Sequence, residues 1–228
     1  MKATRARRTV KVRKRILVVD DHPITRYGVT QLINHEPDLL VCGEAESAQQ
    51  ALVAIKSAPP DLVLADITMP GRSGLEFIKD LRAQHPHVPV LVMSMHDENI
   101  YAERVLRAGG RGYIMKNEGG EKLLDAIRQV LQGQVYVSKS MSAALLEVFT
   151  PHRSNVGEAT PGALSDREFE VFQLIGEGLS AQQIGQRLNL SVKTVATHRQ
   201  HIRQKLKVRT GPELIRQAVR WAAAQQLV

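Results

Sequence analysis

The sequence holds a single cysteine, Cys42, in 228 residues, so no intrachain disulfide can form. It has no uninterrupted apolar run near the roughly 20 residues that a helix needs to cross a bilayer, which excludes helical membrane anchoring. The basic N-terminus lacks an apolar stretch resembling a signal peptide, so a cytoplasmic location and no membrane partner are expected. Residues 1–15 lack any acid and hold eight Lys and Arg. They account for the whole net charge of +8, because the other 23 basic residues balance the 23 acidic ones. That balance is itself split: residues 16–150 carry 17 acids against 12 bases, and residues 161–228 carry 5 against 10. The second half is therefore where a polyanion would bind. Length and a 43% hydrophobic content suit two small domains, each with its own core.

Short apolar runs recur between helical patterns: 16–19, 62–65, 90–93 and 113–115, with a further strand expected near 39–42. Continuous rather than alternating apolar runs suit strands covered on both faces, and helical spacing fills 24–34, 47–57, 73–84, 98–108 and 119–132. The pattern predicts a repeated β–α unit with a parallel sheet.

Four of these runs end in polar residues: Asp20-Asp21, Asp66, Ser94 and Lys116. In an open parallel sheet the carboxyl ends of the strands share one edge, where ligands bind, so these groups should converge. An acidic pair alone is usually a helix cap and a lone Lys usually surface charge; their joint placement argues for a site. Three close carboxylates repel one another unless a cation lies between them, and all-oxygen ligands with open water positions favour Mg²⁺. Asp66 would then serve as a carboxylate nucleophile toward phosphorus, with the metal and Lys116 offsetting charge on the transferring group and Ser94 donating to a phosphoryl oxygen.

The stretches 18–22, 66–71 with Gly74, Ser94 and 112–116 resemble those of bacterial response-regulator receiver domains, over about residues 14–135. The resemblance implies a five-stranded, doubly wound, flavodoxin-like α/β fold. It implies that a sensor histidine kinase phosphorylates Asp66, that Asp21 and Asp66 ligate Mg²⁺ directly with Asp20 acting largely through water, and that Thr68 supplies its carbonyl. Ser94 and Tyr113 would form the switch pair, the ring turning inward as the hydroxyl moves toward the phosphoryl group. The small, neutral Thr68 leaves the lifetime of the phosphorylated state open.

Residues 133–163 change character, with an apolar helical patch at Met141, Leu145, Leu146, Val148 and Phe149, then a linker rich in turn-forming residues. Beyond it, 165–168 and 180–183 read as capping boxes, Ser191 as an N-cap and Pro212 as a first helical residue. Asn189 can take a left-handed conformation in a tight turn at 188–190, which predicts a helix-turn-helix. On a helical wheel Val195, His198, Ile202 and Leu206 face inward, which makes His198 a packed or backbone-bonded residue. Lys193, Ala196, Thr197, Gln200 and Gln204 face out, with Arg203 and Lys207 flanking. A face of amides, hydroxyls and methyls bordered by cations can lie in a major groove.

Residues 163–226 resemble the LuxR-type helix-turn-helix of NarL/FixJ-type response regulators, through 164–168, 177–180, 184–185 and 191–198. That likeness implies a small all-α four-helix domain that binds double-stranded DNA through Lys193, Thr194, Ala196, Thr197, Arg199, Gln200 and Arg203, as a homodimer joined by the last helix, 212–225. The expected organisation is a basic tail at 1–14, a receiver domain at 15–135, a linker with a short helix at 136–162 and a DNA-binding domain at 163–228. The expected function is transcription regulation switched by phosphorylation, with no catalysis beyond the receiver's own phosphoryl transfer and hydrolysis. The tail reads as a disordered solubilising arm or, alternatively, as a source of nonspecific contacts to DNA phosphates.

Overall fold

The structure, a computed structural model, describes residues 12–69, 73–143 and 161–226. The tail at 1–11, Pro70-Gly71, the patch residues Leu145, Leu146, Val148 and Phe149, and the linker from Thr150 to Thr160 lie outside the described residues.

Five β–α units run in order: β1 Lys14–Val19, α1 Pro23–Asn34, β2 Leu39–Ala45, α2 Ala48–Ser57, β3 Leu62–Ala65, α3 Gly74–Gln84, β4 Val90–Ser94, α4 Glu98–Ala108, β5 Gly112–Met115 and α5 Gly120–Leu131. The strands form one parallel sheet in the order β2-β1-β3-β4-β5. Every residue of β3 is buried, as a central strand under helices on both faces requires. Successive side chains divide between those faces. Leu17, Val19, Val63, Ala65 and Val92 pack under α2, α3 and α4, whereas Ile16, Val18, Leu62, Leu64 and Met93 pack under α1 and α5. Each of these Val, Leu, Ile and Met side chains contributes about 1.5–3 kcal/mol when fully buried.

Past α5 the chain returns along the outer edge of the sheet. Tyr136 bridges Gly112 in parallel, accepts from the Tyr113 amide at 2.8 Å and donates to the Arg111 carbonyl at 3.0 Å. The Ser138 amide then bonds Glu98 Oε1 at 2.7 Å. Helical backbone resumes over 139–143, where Met141 is buried.

After a short 3₁₀ turn at Pro161–Ala163 come α6 Asp166–Gly176, α7 Ala181–Leu188, α8 Val192–Lys205 and α9 Gly211–Gln226. Both expected capping boxes are present, Ser165 with Glu168 and Ser180 with Gln183, and Ser191 caps α8 through the Thr194 amide. Asn189 ends α7 at φ 53, ψ 46, the left-handed turn that directs the chain into α8. Phe169, Phe172, Ile184, Val195, Ile202 and Leu214 form the core of this unit.

Candidate functional site

Backbone hydrogen bonds at the carboxyl edge of the sheet bring the four strand ends into register. The Asp66 amide donates to the Val19 carbonyl at 2.8 Å and the Lys116 amide to the Ser94 carbonyl at 2.8 Å, while the Asp20 amide bonds the Ala45 carbonyl at 3.0 Å. The side chains converge as expected: Lys116 Nζ lies 2.7 Å from Asp66 Oδ2 and 2.8 Å from Asp20 Oδ2. Asp66 Oδ1 accepts from the Thr68 amide at 3.1 Å. Asp20, Asp66 and Ser94 are all buried, whereas Asp21 is partly open to solvent.

Burial pushes the Asp66 carboxyl above its ordinary value, against the opposing pull of Lys116 and the Thr68 amide. For Lys116, burial alone would depress the ammonium, but its contacts with Asp20 and Asp66 prevail and hold it charged. One ammonium thus touches two of the three carboxylates of this edge. Donor atoms of Asp20, Asp21, Asp66 and His22 lie within 4.8 Å of one another. Hard oxygen donors carrying excess negative charge fit a divalent cation, and this acidic pocket is suited to one. His22 has no counterpart in the sequence-based site; its Nδ1 sits 2.9 Å from Asp21 Oδ1, and its amide donates to Asp20 Oδ1 at 2.8 Å.

Tyr113 is fully buried, its ring already inside, and its hydroxyl donates to the His96 carbonyl at 2.6 Å. His96 links several parts of the site: its amide donates to Ser94 Oγ at 3.2 Å, and its Nε2 lies 2.8 Å from Thr68 Oγ1. Its ring is 5.1 Å from that of Tyr101. Burial keeps this imidazole below its usual pKa, hence neutral near pH 7. The local pattern around His96 does not mark its role, since the contacts that tie it to Tyr113 and Thr68 span 17 and 28 residues.

In the helix-turn-helix, Lys193, Ala196, Thr197 and Gln200 are exposed along one face of α8, while Thr194, Arg199 and Arg203 are half-buried at its borders. The Thr194 hydroxyl is shared with Ser191 Oγ at 2.8 Å, and Arg203 donates to the Arg209 carbonyl. His198 is half-buried; its Nδ1 is enclosed without a hydrogen-bond partner, and burial lowers its pKa. It is therefore a packed residue rather than a backbone-bonded one. Glu168, from the capping box of α6, holds Lys205 of α8 at 2.6 Å.

Among the described residues no helix is long and apolar enough to cross a membrane. Residues 16–128 match the response regulator receiver domain family, and residues 162–218 match the bacterial regulatory proteins of the luxR family. The oxygen regulatory protein NreC of Staphylococcus haemolyticus is 34% identical over 210 residues, covering 90% of this chain and 97% of that protein. A LuxR-family two-component response regulator from Aurantimonas is 32% identical with a TM-score of 0.56, over 60% of this chain and 97% of its own. RcsB of Salmonella enterica, solved with promoter DNA, shares the fold at 23% identity and a TM-score of 0.65, over 90% of this chain and 97% of its own. A receiver fold with its acidic edge intact, followed by a LuxR-type helix-turn-helix, places this chain among the NarL/FixJ-type two-component response regulators, a family of DNA-binding transcription regulators.

Proposed function

We propose that Asp66 is the phosphoacceptor of this chain and that its phosphorylation by a sensor histidine kinase switches DNA binding. The observation that carries this reading is the Asp20–Lys116–Asp66 arrangement, in which one ammonium touches both buried carboxylates. Asp20, Asp21, Asp66 and the Thr68 carbonyl would hold Mg²⁺, which supplies charge compensation for the incoming phosphoryl group. Lys116 binds the same group from the other side. Ser94 and Tyr113 read its arrival, and their shared connection through the His96 backbone supports that pairing.

The outer face of α8 is the reading surface. Ala196, Thr197 and Gln200 point to base edges, and Lys193, Thr194, Arg199 and Arg203 contact the backbone or the groove wall. Ile215 and Val219, half-exposed one turn apart on α9, suit the contact of a homodimer on paired half-sites. We divide the chain into a tail at 1–14, a receiver domain at 15–135, a linker at 136–162 whose first residues, Tyr136 to Ser138, close the receiver's edge, and a DNA-binding domain at 163–228, with its place of action in the cytoplasm.

The test is a DNA-selection binding assay on wild type and Asp66→Asn, with and without acetyl phosphate and Mg²⁺, while intact mass is followed. Wild type should gain one phosphoryl group and bind a paired site more tightly, and Asp66→Asn should do neither. Equal binding by two unmodified proteins would refute the switch.

A further inference from the structure

The effector unit covers the phosphoacceptor edge and leaves its own recognition helix open. A cavity of about 360 Å³ separates the two units. Asp21, Thr68 and Met69 line its floor, and Gln173, Glu177 and Arg187, from α6, its end and α7, line its roof. Asp66 is only 3% exposed and lies behind the cavity wall, where its chain neighbours Ile67 and Thr68 open on the cavity. Meanwhile Lys193, Ala196, Thr197 and Gln200 on α8 face solvent.

Arg104 on α4 holds the roof in place. It donates to the Pro161 carbonyl at 2.9 Å, to the Leu164 carbonyl at 3.1 Å and to Asp166 Oδ1 at 3.0 Å. Its guanidinium also lies 4.3 Å from the centroid of the Phe169 ring. Lys79 bonds the other oxygen of Asp166 at 2.6 Å, and the Tyr101 hydroxyl donates to Gln173. The latch sets these polar contacts beside an edge-to-face contact of Tyr101 on Phe169 at 5.5 Å, and more polar interfaces between domains of one chain are the ones that open and close.

We propose that this latched roof selects the phosphodonor by size. The closed form admits a small acyl phosphate to Asp66, and a protein phosphohistidine reaches it only after the Arg104 latch opens. The inference rests on Asp66 being the phosphoacceptor. In either reaction an Asp66 carboxylate oxygen forms the new bond to phosphorus while the donor's bond breaks. The electron pair leaves on acetate for acetyl phosphate, or on the ring nitrogen of phosphohistidine, which then takes a proton from water. The cavity holds a molecule as small as acetyl phosphate. A histidine carried on a folded domain must instead bury on the order of 1,000 Å² even for a transient encounter, over ground the roof occupies. Apparent affinity for the protein donor is therefore reduced by the fraction of molecules that stand open.

The experiment measures phosphoryl uptake by full-length wild type, Arg104→Ala and Asp166→Asn, by intact mass, in the presence of Mg²⁺. The donors are acetyl phosphate and a phosphorylated four-helix histidine phosphotransfer domain at sub-saturating concentration. Both variants should speed transfer from the protein donor about tenfold, equivalent to about 1.4 kcal/mol of latch, and leave the acetyl phosphate rate within about twofold, since the cavity is not the barrier for a small donor. Asp166→Asn retains the side-chain volume and removes only the ion pairs, so it guards against a folding effect of Arg104→Ala. Equal acceleration with both donors, or none with the protein donor, overturns the size filter while leaving Asp66 as the acceptor. Absence of phosphoryl uptake from either donor by all three proteins overturns the acceptor assignment itself.

Discussion

Replacing Gly185 by Ala tests how the helix-turn-helix is held at its angle. Gly185 lies in α7, where the Leu190 amide donates to its carbonyl at 2.8 Å. A Cβ built there meets the Leu190 carbonyl oxygen at 2.7 Å, a backbone atom with no flexible end to yield. In a free helix the same change is favourable by about 1 kcal/mol. Here the overlap forces the Leu188–Leu190 turn to move by several tenths of an ångström, and overpacking of this kind costs about 1–3 kcal/mol. We therefore expect net destabilisation of the effector unit by about 1 kcal/mol, a fall in its melting temperature of about 4–8 °C for a unit of this size. Trp221, the sole tryptophan, packs against Phe169 and Phe172 and reports this melt by its fluorescence. Gly28→Ala is the internal control: it lies in α1 with nothing within 4 Å of its added Cβ, so it should stabilise the receiver by about 0.5–1 kcal/mol. An unchanged or raised melting temperature for Gly185→Ala would refute the packing argument, and DNA affinity measured beside it should fall because α8 is tilted.

Tyr113→Phe removes the hydroxyl that donates to the His96 carbonyl; urea titration should show a loss of about 1–2 kcal/mol, the usual cost of leaving a buried acceptor unpaired. Glu168 has its pKa depressed: burial opposes this, but its contacts with Lys205 and Ser165 prevail. Its stabilising contribution is therefore complete above the unfolded-state value near 4.3 and disappears as pH falls through the lower folded value. Effector melts recorded from pH 6 down to pH 3 should show this loss in wild type and not in Glu168→Gln, which should already be weaker at pH 6. Removing divalent cations with a chelator should stop acetyl phosphate from modifying Asp66, and restoring Mg²⁺ should recover it, with intact mass as the readout.

Much of the receiver was legible because its chemistry is local. An apolar run followed by Asp66 or Lys116 states both a buried strand and a polar edge, and the parallel topology then does the convergence. The capping boxes at Ser165 and Ser180 and the left-handed Asn189 were legible for the same reason, since each is a contact within three or four residues. What joins the two units was not legible. Arg104 sits on α4 with the spacing of a solvated surface charge, yet its partners lie 57 to 62 residues away. His96 likewise acquires its role only when β3, β4 and β5 are side by side. The expected last helix, 212–225, begins one residue earlier and ends one later in the structure, at Gly211 and Gln226.

The return of the chain along β5 bears on where this protein can be cut. Tyr136 occupies hydrogen-bonding positions that an edge strand would otherwise offer to another molecule. A fragment ending at Leu131, the last residue of α5, would retain every β–α unit and still bare that edge. It would thus invite strand pairing between copies, and dimers seen with it would report the cut rather than the protein. A receiver fragment carried through Ser138 keeps the edge closed and the bond to Glu98 intact.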